Sequence, residues 1–550
     1  MTDYFDLGSH SRSITTTSPD AQRWFDRGLV WTYGFNHGEA IRCFKRAIKA
    51  DPSCAMAYWG VAYAGGPHYN KTWDMYDPSE LPKTVERTYL ASRQAADLLD
   101  GVQPVERALI EALQQRYQSA TPTGDFTSWT DDYAAAMRAV YGAHPDDLDV
   151  AALTAEALMN RTPWALWDLA SGDVADGADT IEARAILERA LDMPEGRVHP
   201  GVLHMYIHLM EMSPFPELAL RAGDWLRDLV PDAGHLQHMP THIDVLCGHY
   251  YQVVASNSAA IVADEKYRER AGAMNFYTLY RVHNFHFKLY GAMFIGQSEV
   301  ALRTADDVVE TIPVELLQME SPPMADWLEG FMAVKMHVLI RFGRWQEIID
   351  TPLPDDPELF CTTTALYHYA KGVAFSATGQ VDEAAEQQRL FHAAAARVPE
   401  TRTLFNNTCQ DILAIASEML AGELEYRRGN YEVAYAHLRR SIELEDGLVY
   451  DEPWGWMQPT RHAYGALLLE QGHVEEAEAV YRADLGLDSS LPRAYQHPEN
   501  VWSLHGYHEC LVRLGKFALA DMIRQRLDLA AARADIPIRA SCYCRMTHAA

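Results

Sequence analysis

The chain is poor in the features that mark the commonest enzyme and membrane classes. Eight cysteines in 550 residues are few for this length, and most sit in helical repeats, which reads as buried thiols in a reducing cytoplasm. No stretch approaches the ~18 uninterrupted apolar residues of a membrane-spanning helix. The opening MTDYFDLGSHSRSITTTSPD has neither a basic nor an apolar region, so no secretory leader is expected. Positive charge is scarce as well. Lys and Arg number 47 against 76 Asp and Glu, a formal charge of −29, which argues against nucleic acid and anionic membranes as partners. Walker loop, GxGxxG, GxSxG, HExxH and CxxC are all missing, so nucleotide, flavin and serine-hydrolase chemistry lack local support. Alternating strand patterns are missing too.

What is present is a helical period. Residues 21–54 carry the ~34-residue tetratricopeptide pattern through Trp24, Gly28, Trp31, Ala40, Phe44, Ala47 and Pro52. The same frame recurs at 200 (Leu203, Ala219, Leu226, Pro231), at 234 (Gly248, Tyr250) and at 282 (Gly296, Ala301). Later frames run through Gly343, Gly372 and Ala384, Gly422 and Ala434, Gly465 and Ala477, and Ala520. The fold expected is therefore all-α, a tetratricopeptide-type superhelix (α-solenoid) of antiparallel helix pairs.

Histidines pile up on this frame. His204, His208 and Glu211 are spaced 4 and 3, His235, His238 and His242 are spaced 3 and 4, and His283, His286 and Tyr290 repeat 3 and 4. Such spacings share one helical face. By resemblance to tetratricopeptide proteins, these are the positions that line the concave groove. Clustered imidazoles repel once protonated and need partners when buried and neutral. A transition metal answers both needs, whereas a plain polar groove is the simpler alternative. Seven histidines exceed one three- or four-ligand site. The surplus allows several metals, or one metal with histidines left for substrate and protons. Glu211 could be a ligand, an orienting group or a general base, and Tyr290 could donate a proton or hold a substrate. Cys542 and Cys544 close the chain as Cys-x-Cys on a tail able to fold back into the groove. A thiolate beside imidazoles favours copper or zinc, and a His/carboxylate set suits iron or copper. Copper is favoured overall.

The expected organisation is a polar lead-in at 1–18, tetratricopeptide-like helices at 19–160, His-rich repeats at 161–312, further repeats at 313–536 and the tail at 537–550. Ser18-Pro19-Asp20 offers the first helix start, and Gly65-Gly66-Pro67 ends a helix and leaves His68, Tyr69 and Asn70 in a loop. Glu156 and Asn160 are further groove candidates, TPWALWDLASGD (162–173) is an irregular linker, and Pro537 breaks the last helix. His337, Tyr369, Met419, Glu423, His462, His505 and Glu509 fall in the groove register of later repeats.

Six segments carry a more specific likeness: AYWGVAYAGGPHYN (57–70), HMYIHLMEMS (204–213), AGHLQHMPTHI (233–243), HNFHF (283–287), DEPWGW (451–456) and CYC (542–544). Over nearly its whole length the chain resembles a group of bacterial tetratricopeptide-repeat proteins with these motifs, departing from it at His68, where the group has Asn. The resemblance implies the architecture and no particular activity. The function expected from the residues is a metal-dependent, oxidative reaction on a small molecule held in the groove. The alternative is a scaffold whose groove takes a peptide, a partner protein or the chain's own tail.

Overall fold

Short-range signals set the helix ends. Ser18 Oγ accepts the Ala21 N–H at 3.2 Å with Pro19 in the first turn, and Asn36 Oδ1 accepts the Glu39 N–H at 3.2 Å to start the next helix. Gly248, Gly296 and Gly343, the turn positions of the repeat frame, have φ of 76°, 72° and 63°, a left-handed conformation that costs glycine nothing. The computed structural model describes residues 4–548, the side chains of 546–548 excepted. The first three residues of the expected lead-in and the last two of the tail lie outside the described residues.

About 66% of the chain is helical, and its fold is all-α, of the tetratricopeptide type. Strand structure among the described residues is one hairpin, Thr403–Leu404 against Asn407–Thr408. Among the described residues, no helix is long and apolar enough to cross a membrane.

The chain forms two compact units, residues 1–243 with 259–271, and residues 244–258 with 272–550. The expected boundaries at 160/161 and 312/313 fall inside them. Leu148–Met159 and Thr180–Asp192 both pack on Pro200–Glu211, so burial runs straight through the first boundary.

In the first unit successive hairpins begin with Pro19–Tyr33 and His37–Ala50, then Ala55–Gly65 and Leu81–Ala96. The helix period places small residues where helices cross. The ring of Phe44 fills the space left by two glycines, and a Cβ on Gly28 or Gly60 would sit 2.6 or 2.5 Å from it. The lead-in is not a loose polar segment. Leu7 and Ile14 are buried, and Arg12 reaches Asp147 at 2.8 and 3.0 Å and Asp149 at 2.9 Å.

In the second unit, hairpins run from Thr278–Phe294 with Ser298–Thr311 to Val501–Arg513 with Phe517–Ala531. Asp484 is its buried polar centre, taking His462 Nε2 at 3.1 Å, His497 Nδ1 at 2.8 Å, Asn500 Nδ2 at 3.0 Å and Ser503 Oγ at 2.6 Å. The last helix stops at Ala531, ahead of the expected break at Pro537. The tail then forms a 3-10 turn, Tyr543–His548, rather than an extended strand.

Gly28→Ala tests the crossing at Phe44. With no free space, the added methyl must displace an aromatic ring, which costs about 1–3 kcal/mol, and the urea midpoint of the variant is expected to fall accordingly. An unchanged midpoint would show that the ring has room to move.

Candidate metal centre

His199 sets the entry to the helix Pro200–Glu211. Its Nδ1 accepts the Val202 N–H at 3.2 Å, so its Nε2–H is the donor to Asp149 Oδ1 at 3.0 Å. Asp149 also receives Tyr33 Oη at 2.6 Å, His10 Nε2 at 3.2 Å and Arg12 at 2.9 Å. His10, Asp149 and His199 are close enough to hold a cation, but these donors saturate the carboxylate, and the cluster reads as a clamp on the helix start. Burial raises the Asp149 pKa; His199, His10 and the neighbouring donors outweigh it and hold the carboxyl well below its usual range.

One and two turns further on, the helix presents His204 and His208. His204 Nδ1 lies 2.6 Å from the Tyr33 carbonyl oxygen. A carbonyl can only accept, so Nδ1 carries the proton and Nε2 keeps its lone pair. Glu211 fixes two more rings the same way, with Oε1 3.0 Å from His208 Nδ1 and Oε2 2.7 Å from His242 Nδ1. His235 Nε2 then stands 3.2 Å from His204 Nε2, and His238 Nε2 stands 2.7 Å from His242 Nε2. Ligand atoms of His204, His208 and His235 lie within 4.8 Å of one another, as do those of His208, Glu211 and His242.

All six side chains are at most 1% exposed. Burial pushes His208 down to about 3, and burial together with His208 drives His204 well below its ordinary value. His204 and His208 are therefore neutral, and His208 Nε2 has no hydrogen-bond partner among the described residues. The helix carrying His235, His238 and His242 is interrupted, Gly234–His238 being followed by Pro240–Leu246. Pro240 lacks the N–H that would continue the ladder, yet Met239 stays right-handed (φ −50°, ψ −37°). The 3- and 4-residue spacing thus survives the break.

The walls are aromatic. Phe35 lies 5.3 Å from the His235 ring and 4.5 Å from that of His204, while Tyr69 lies 4.9 Å from His208. Trp164 stands 5.9 Å from His208, and the His68 ring packs 4.5 Å from Phe35. Phe35 and Trp164 have φ of 53° and 58°, a left-handed backbone that costs roughly 1–2 kcal/mol in a non-glycine residue. Neither was singled out in the sequence, where the only signals were the turn after the first helix and the tryptophan-rich linker. Glu156 accepts the Tyr63 hydroxyl, and Asn160 Nδ2 approaches it at 3.5 Å.

The remaining predicted residues belong to the second unit. His283, His286 and Tyr290 lie on Thr278–Phe294. His286 is fully buried 5.0 Å from the Phe331 ring, and burial pushes it down to about 3. Tyr290 stacks on Phe294 at 4.3 Å, and burial holds its proton far above the ordinary range. Cys542 and Cys544 are buried, joined in a disulfide, and neighbour Glu423. The tail bearing them does fold back, with Arg341 donating to Ser541 O at 3.0 Å and Arg545 pairing with Glu509 at 2.7 and 2.8 Å.

No protein-family model matches the chain, and no curated protein matches it. Among solved structures it is similar to the Cut9–Hcn1 hetero-tetramer of APC/C, at 13% identity over 89% of this chain and 76% of that one, TM-score 0.30. It is similar to the apo form of RapI at 11% identity, 64% and 93% coverage, TM-score 0.31. It is also similar to Naa15/Naa10 bound to HypK-THB at 12% identity, 93% and 70% coverage, TM-score 0.21. At these identities and scores the likeness carries nothing further about this chain.

Asp149→Asn tests the clamp. Removing a buried charge that faces Arg12 is expected to cost of order 3 kcal/mol. The folded pKa of Asp149 lies below its unfolded value, so this stabilisation is present at neutral pH and is lost as pH falls through the folded value. Calorimetry of both proteins should show a wide gap in melting temperature at neutral pH that narrows in acid. A gap independent of pH would mean that charge is not what Asp149 contributes.

Proposed function

We propose that this chain is a helical-repeat protein of the partner-binding kind whose first unit carries a transition-metal centre ligated by His204, His208 and His235, with His238 and His242 adjoining it. One observation carries the reading. Two neighbouring imidazoles, those of His204 and His208, each have Nδ1 tied to a fixed acceptor, so that His204 Nε2 faces His235 Nε2 at 3.2 Å and His208 Nε2 has no hydrogen-bond partner among the described residues. A carboxylate or carbonyl on the far nitrogen is the arrangement that orients metal-binding histidines and raises their basicity. With both oxygens on imidazole nitrogens, Glu211 is read as a positioning residue rather than a base. An all-nitrogen set suits copper or iron, with zinc also possible.

Two finer readings follow. The helical-repeat fold supports a role as a scaffold for a partner protein or peptide, which the metal would stabilise. The centre, walled by Phe35, Tyr69 and Trp164, supports instead an oxidative, metal-dependent reaction on a small molecule. The membership of the AGHLQHMPTHI-bearing bacterial group rests on the six motif segments.

Metal analysis of the purified chain tests the centre. About one ion per chain is expected at these ligands, three or four being enough for one site. Replacing His204 and His235 by Ala should remove it, and Glu211→Gln should weaken binding about 10- to 100-fold. Unchanged metal content in the double variant would end the assignment. Oxygen or peroxide consumption by the loaded protein, absent from the double variant, separates the enzyme from the scaffold.

A further inference from the structure

The second unit holds a polar cluster that the imidazole centre does not use. Cys542 and Cys544 are 6% and 1% exposed, and their sulfurs and a Glu423 oxygen lie within 4.8 Å of one another. Glu423 is fully buried, and neither carboxylate oxygen has a hydrogen-bond partner among the described residues. A buried carboxyl left without a partner is costly, so the cluster lacks something that would coordinate or donate to Glu423. The space for it is there. A cavity of about 20 Å³ is bounded by Tyr369, Met419, Glu423, Trp456, Cys542 and Cys544, enough for one water-sized body. Trp456 Nε1–H, on the same wall, is likewise without a hydrogen-bond partner among the described residues.

Chain geometry keeps the sulfurs together. The 3-10 turn brings the Cys542 and Cys544 Cα atoms to 5.3 Å, and the Cys544 N–H donates to Cys542 Sγ at 3.3 Å. Ser541, just before the pair, is fastened by Arg341, by Tyr481 at 2.5 Å and through its own donation to His462 O at 2.9 Å. Arg427 donates to the Cys544 carbonyl. The turn is therefore held whether or not the sulfurs are bonded to each other.

We propose that Cys542, Cys544 and Glu423 form a second, redox-gated site for a thiophilic divalent ion, Zn²⁺. In the oxidised state the sulfurs are bonded to each other and cannot ligate. Two equivalents of a small thiol break the S–S bond, becoming a disulfide themselves while their two protons pass to Cys542 and Cys544. A divalent ion then displaces those two protons and bonds both sulfurs and a Glu423 oxygen. Two thiolates, one carboxylate and a 2+ ion sum to −1, a charge that the Arg341 guanidinium on the cavity wall offsets. Sulfur donors select Zn²⁺ over harder divalent ions. This site is independent of the imidazole centre of the first unit.

The test uses the full chain, reduced with a phosphine, freed of reductant without air and titrated with Co²⁺ as a probe for Zn²⁺. Expected is a sulfur-to-cobalt charge-transfer absorption saturating near one equivalent, absent from the oxidised protein and lost in C542S/C544S. Glu423→Gln should raise the dissociation constant about tenfold or more. Imidazole ligation gives no such band, so failure here leaves the first centre standing, and the converse. The site is overturned if the reduced chain shows no band, if the band survives in C542S/C544S, or if Glu423→Gln binds as tightly as the parent. Should C542S/C544S lose its helical circular dichroism, the oxidised-against-reduced comparison and Glu423→Gln decide alone.

Discussion

The hydrogen bond from a buried imidazole Nδ1–H to a fixed oxygen is the constraint on which the first unit's site depends. Made by His204 to the Tyr33 carbonyl and by His208 and His242 to Glu211, it decides three things together. It chooses the tautomer, it locks each ring about its long axis, and it turns the remaining lone pairs inward. Without it, rings this close could rotate to bond one another and the cluster would be a satisfied polar core. With it, the near contact of His204 and His235 is one that a proton or a cation must mediate.

Each unit has a second device, an aspartate sunk among donors. Asp149 gathers His10, Arg12, Tyr33 and His199, and Asp484 gathers His462, His497, Asn500 and Ser503. These anions sit where irregular chain meets a helix start, at His199 and at Asn500. Hydrophobic packing alone specifies poorly there, and a saturated carboxylate fixes the chain's path at a point. A carboxylate with few donors, such as Glu423, does the opposite and marks a place where something is still to bind.

Helix positions were readable because they rest on local signals: the Ser18 and Asn36 caps, the turn glycines, and small residues at the crossings. The ridge of His204, His208 and Glu211 was equally local, all three lying on one helix. What could not be read were contacts made across long sequence distances. Phe35 sits in a short turn with nothing to show that it walls an imidazole cluster some 170 residues away. Arg12 looked like part of a polar leader because its partners lie at 147 and 149. The interruption at Pro240 was hidden too, because a break that keeps its residues right-handed leaves the spacing intact.

The leading segment has a consequence for how the first unit comes apart. In an ordinary solenoid each repeat touches only its neighbours, so unfolding can begin at an end and travel inward. Here His10 and Arg12, at the very start, are held by Asp149, which also grips His199 at the head of the helix bearing His204 and His208. Residues 10–12 are thereby stitched to the middle of the unit at Asp149 and His199. Such a body loses its structure as one block rather than by fraying. In the nascent chain, in turn, the Arg12 guanidinium has no carboxylate to close upon until Asp147 and Asp149 have been made.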